Sequence, residues 1–72
     1  MSRLASVDIT TLTTNVPIGD DEAGRRVAKL TERDEDLRAY GRSGYRVCTT
    51  VVIPSGDRVM IVDTLERDEI QL

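Results

Sequence analysis

Cys48 is the one thiol of this chain and Lys29 its one lysine, and histidine is absent. Attack on an electrophile by Cys48 or by a serine needs a base to take the proton, and that base is usually histidine. Lys29 stands among charged residues, and Cys48 lies between Val47 and Thr49 in a β-branched run. That is the setting of a core or interface thiol. Acid-base catalysis by a carboxyl pair needs both groups to converge on one point. Asp34, Glu35 and Asp36 are consecutive, so on a helix they point apart and read as a solvated face. Asp20-Asp21-Glu22 and Asp68-Glu69 lack the alternating ligands and central glycine of a calcium loop. Capping and solubility are their expected roles. A zinc site wants several Cys and His ligands, and no Lys-Ser/Thr pair follows Gly41 and Gly44 to make a phosphate loop. The reading is therefore non-enzymatic, with no cofactor and no metal.

Arg25, Arg26 and Lys29 cluster in one stretch and Arg38, Arg42 and Arg46 in the next. Acids interleave with both groups, which suggests pairs such as Glu22 with Arg26 on a salt-laced helix face. A net charge of −3 also argues against a duplex-DNA footprint, which needs a basic face. These features argue against nucleic acid as a partner.

These residues must be positioned by few elements. Residues 4–14 (LASVDITTLTT) are rich in β-branched side chains, with Val7, Ile9 and Thr11 on one side at period two. They predict a first strand or an extended arm within residues 1–19. Pro17 and Gly19 break that segment. Asp20 or Asp21 is placed to cap a helix over residues 20–41, with Glu22 adding negative charge to its first turn. Ala23, Val27, Leu30, Leu37 and Tyr40 recur at helical spacing, interrupted by Asp34. Thr31-Glu32-Arg33-Asp34 resembles a second capping signal, so one kinked helix and two short ones fit equally well. Gly41 is placed to end the helix in a left-handed conformation.

YRVCTTVVI and RVMIVDTLE, within residues 45–66, predict a hairpin around Pro54-Ser55-Gly56-Asp57. A three-residue loop over Ser55 to Asp57 sets Ile53 across from Val59, Val51 from Ile61, Val47 from Leu65 and Arg46 from Glu66. One face then holds Tyr45, Val47, Thr49, Val51, Ile53, Val59, Ile61 and Leu65, marred by Thr49 and Asp63. The other holds Val52, Met60 and Val62 with Thr50 and Cys48. One helix covers one side of such a sheet, so this second strip is the candidate interaction site, unless the N-terminal segment folds over it. Residues 67–72 read as a charged tail whose Ile70 and Leu72 dock or fray.

Leu37, Gly41, Gly44, Tyr45 and Val47 together resemble a family of small bacterial domains of unknown function. In that family a helix ends in Leu-Gly, and two residues later a strand opens with Gly-Trp. Tyr45 stands where the family usually has Trp, Arg46 replaces the common acid, and Tyr40 sits where Leu is usual. The resemblance implies the order strand, helix, strand, strand, and it implies no activity. On physical grounds Gly41 lets the chain leave the helix and Gly44 lets it turn into the strand, with Tyr45 packing back on Leu37 and Leu30.

The fold class is thus α+β, a small two-layer β-α-β-β domain with its antiparallel C-terminal hairpin on one helix. Seventy-two residues make one domain, 1–72, and bury only about 60% of the surface of the unfolded chain. Disulfides and metals are excluded, so self-association is the remaining remedy for a thin core. No signal-peptide or membrane-length apolar run occurs, which predicts a cytoplasmic protein, or a virion component if phage-encoded. The expected function is a protein-protein interaction module, a structural or assembly subunit that binds its own copies. The alternative is a regulatory adaptor or inhibitor that binds a host or cellular protein.

Overall fold

The computed structural model describes the backbone of residues 4–71 and the side chains of residues 6–69. Four elements follow in order: β1 (Leu4–Pro17), α1 (Ala23–Arg42), β2 (Arg46–Ser55) and β3 (Arg58–Gln71). The sheet order is β1-β3-β2, with β3 antiparallel to both neighbours. The chain is therefore α+β, with one helix on one face of a three-stranded sheet. β1 is the strand its threonines and valines predict, since β-branched side chains suit a pleated surface. It pairs with β3 without a shift from Leu4–Gln71 to Pro17–Arg58. That pairing draws residues 67–71, expected as a tail, into β3. Leu72 and residues 1–3 lie outside the described residues, as do the side chains of Leu4, Ala5, Ile70 and Gln71.

α1 is one unbroken helix through Thr31–Asp34. Its N-cap is Glu22, not Asp20 or Asp21, and no side chain caps it. The Glu22 carboxylate is taken instead by Arg25 at 2.8 Å, and Arg26, expected to hold it, donates to the Gly19 carbonyl. The helix ends later than predicted. Gly44, at φ +90°, makes the left-handed exit, whereas Gly41 is helical. Gly44 N–H donates to Gly41 O and Tyr45 N–H to Tyr40 O, each at 3.0 Å. This is a Schellman exit, in which the residue after the glycine packs on the helix three positions before the cap. Tyr45 does so on Tyr40, ring edge to ring face at 5.5 Å. A left-handed Gly41 would have set Arg42 against Leu37, an unprofitable contact.

The hairpin differs from its expected register. Ser55 pairs with Arg58, leaving a two-residue turn of Gly56 and Asp57. Gly56 has φ +61° and Asp57 does not share the positive φ, the pattern of a II′ turn, whose twist matches that of the strands. Ile53 therefore faces Met60, Val52 faces Ile61 and Val51 faces Val62. A β-bulge between Val47 and Thr49 absorbs the extra residue, so Val47–Leu65 and Arg46–Glu66 pair as predicted.

Two apolar side chains are buried among the described residues, Val16 and Leu65, together with Thr14 and Asp63. All four sit on the helix side of the sheet. The radius of gyration is 15.9 Å, against about 11 Å for a compact chain of this length. The molecule is a slab of 60 × 22 × 10 Å.

Candidate interaction surfaces

Two polar clusters position the surfaces. Asp63 is 0% exposed because three donors surround its carboxylate. Arg33 Nε donates to Oδ2 and Nη2 to Oδ1, both at 2.8 Å, and Thr50 Oγ1 donates to Oδ1 at 2.7 Å. One carboxylate thereby ties α1, β3 and β2. The Arg33 guanidinium holds the Asp63 carboxyl below its ordinary range, and Asp63 in turn raises Arg33. The second cluster joins the helix exit to β1 and β3. Tyr45 OH donates to Asp8 Oδ2 at 2.5 Å and Arg67 Nη2 donates to the same oxygen at 2.9 Å. Arg67 Nη1 reaches Ser43 O at 3.1 Å, and its guanidinium lies 4.6 Å above the Tyr45 ring. The Tyr45 hydrogen bond first, and Arg67 next, lower the Asp8 carboxyl, and the same bond raises the Tyr45 phenol. Both oxygens of Asp63 are engaged in holding structure, and so is Oδ2 of Asp8. No group of three potential metal ligands occurs among the described residues.

Asp63 also sets the roll of the helix. With Arg33 aimed at the sheet centre, the half-buried helix positions are Arg26, Lys29, Arg33, Leu37 and Tyr40. The expected stripe turns sideways, leaving Val27 64% and Leu30 39% exposed. α1 packs on β1. Arg25 and Lys29 line a cleft with Asn15 and Pro17, and Asp36 and Ala39 line another with Leu12. That flank overhangs the outer edge of β1. The opposite flank, with Val27 and Leu30, therefore looks across the sheet toward β2. There Val47 and Val52 are exposed too.

The sheet face away from the helix is bare. Directly paired residues share a face, so this one carries Val51 and Ile53 of β2, Met60 and Val62 of β3, and Ile9 and Val7 of β1. The row Thr11, Thr64 and Thr49 crosses its middle. Val7, Ile9, Val51 and Ile53 are all exposed, while Met60 and Val62 are half-buried by neighbours within the sheet. Arg58 lies at one end. At the other, Arg46 holds Glu66 at 2.8 Å and Asp68 at 3.4 Å.

The strip read from sequence is thus divided. Met60 and Val62 lie on the bare face, whereas Thr50 and Val52 lie on the helix side, Thr50 bound to Asp63 and Val52 beside Ile61. The one-residue change of register causes this, because it exchanges the faces of the outer half of β2. Cys48 sits in the bulge, exposed, with its thiol raised by desolvation from its neighbours and by Glu66. Of the junction residues, Leu37 and Tyr45 are half-buried, Gly44 makes the turn and Gly41 has open space around it. Asp63, read only as a flaw in an apolar face, is the residue whose importance was missed. A buried-face acid level with Thr50 in the hairpin, and an arginine one helical turn from Leu37, was the available signal.

Among the described residues, Arg25, Lys29, Arg33, Arg46 and Arg67 each hold a carboxylate. No helix among the described residues is long and apolar enough to cross a membrane. The edge strands differ. β2 carries the bulge and Pro54, two devices that blunt an edge, while β1 runs 14 residues with neither before Pro17. Comparison with protein-family models, with curated proteins and with solved structures finds no match.

Proposed function

We propose that the protein is a non-enzymatic interaction module that works as a small structural or assembly subunit built from several copies. One observation carries this reading: among the described residues the fold buries Val16 and Leu65 but leaves nine large hydrophobic side chains exposed on both sides of the slab. Exposed apolar surface on that scale marks association sites. The accessible area is 5245 Å², against about 4450 Å² for a compact chain of 8.0 kDa. The excess, about 800 Å², is what one partner contributes to an interface of ordinary size. Because folding alone leaves the core thin, association and stability are coupled. Chemical denaturation at two protein concentrations tests this. The midpoint should rise with concentration, and identical midpoints would contradict the proposal.

A second reading, an adaptor or inhibitor that captures another protein by β-augmentation, is favoured by the unblunted outer edge of β1. It predicts a monomer whose partner is lost when Thr11→Pro removes an edge donor, with the denaturation midpoint independent of concentration.

A further inference from the structure

We infer that the bare sheet face is the site of self-association, and that its occupant is the same face of a second copy, forming a two-layer β-sandwich. This rests on the self-association proposed above and specifies its surface. Val51, Ile53, Met60 and Val62 form a block free of ionisable groups at one end of the face. Sheets pack face to face about 10 Å apart through such blocks. A two-fold axis crossing the strands at the level of this block sets it against itself. The Arg46–Glu66–Asp68 cluster of each copy then overhangs into water, so no acid is covered, and the one charged side chain within the overlap, Arg58 of each copy, lies in its outermost row. The same operation carries Arg58 of one copy over the Thr64 row of the other, one row from Glu66. The basic end of each face so meets the acidic half of its partner. The helix side of the sheet lacks this self-complementarity. It carries the Arg33–Asp63 pair, and Arg33 is still 22% exposed, so covering it would strip water from an ion pair.

Adjacent residues of one strand supply the test. Val51 points to the bare face and Val52 to the helix side, and they are comparably exposed, at 47% and 56%. Sedimentation velocity over the micromolar range, with far-UV circular dichroism as the fold check, compares three arginine variants with the parent. Val51→Arg should raise the dimer dissociation constant by about a hundredfold or more, since it places unpaired charge in a dry interface. Ile53→Arg should do the same, and Val52→Arg should leave the dimer as it was. Unfolding of the first two beside a folded, dimeric Val52→Arg supports the same face. A dimer that survives Val51→Arg and Ile53→Arg, whether or not Val52→Arg breaks it, overturns this inference and leaves self-association standing. A parent chain that stays monomeric throughout overturns both.

Discussion

Asp63 shows how one side chain decides what neighbouring hydrophobic ones do. By bonding Arg33 and Thr50 it fixes the roll of α1, and so sends Val27 and Leu30 outward. Removing one partner of a buried ion pair strands the other, at a cost of about 3 kcal/mol or more, whereas replacing both by apolar groups is often neutral. Arg33→Leu, which strands the buried Asp63, should lower stability by that amount. Asp63→Ala should cost less, because Arg33 keeps 22% of its side chain in water. The double variant Arg33→Leu/Asp63→Leu should lie closer to the parent than Arg33→Leu. Denaturant titration at fixed protein concentration checks it, and additive losses would argue that the pair is incidental. The two depressed carboxyls also set a pH dependence. Asp8 and Asp63 both titrate lower in the folded chain than their unfolded value of about 4. Their stabilisation is present above that value and is lost as the pH falls through the depressed native ones. The thermal midpoint should therefore drop between about pH 5 and pH 3. Asp63→Asn should drop less over the same interval. A parent midpoint that holds or rises on acidification would show that these contacts do not matter.

At the scale of elements, two glycines three residues apart have opposite roles. Gly44 is left-handed, and a Cβ there would lie 3.3 Å from Arg67 Cδ, whereas a Cβ at Gly41 meets nothing within 4 Å. Gly44→Ala should cost about 1–2 kcal/mol through backbone strain. Gly41→Ala should stabilise by up to about 1 kcal/mol through helix propensity. Thermal unfolding of the two variants would reverse this order if Gly41 were the helix terminator. The order of elements was legible in the sequence because β-branched runs, a helical stretch and two turn clusters alternate cleanly. The pairs Val47–Leu65 and Arg46–Glu66 were legible because charge and hydrophobicity agree there. The outer half of the hairpin was not, since Val51, Val52 and Ile53 are all apolar and any register sets apolar against apolar. Turn chemistry decided it: Gly56 fits the first position of a two-residue turn, and the bulge at Cys48 hides the resulting offset from any pattern of alternation.

The whole molecule is a thin slab with a helix over one edge strand, a bare face opposite and few interior contacts of its own. Composition alone pointed to that shortage, through chain length and the missing disulfide and metal ligands. Which residues stay exposed was beyond it, because the register and the Arg33–Asp63 pair distribute them. The proposal that a second copy covers the bare face is tested most directly by the mass in solution. Sedimentation equilibrium at rising concentration should yield a mass approaching twice the 8.0 kDa of the chain. A mass that stays at the single-chain value into the high micromolar range would contradict the account.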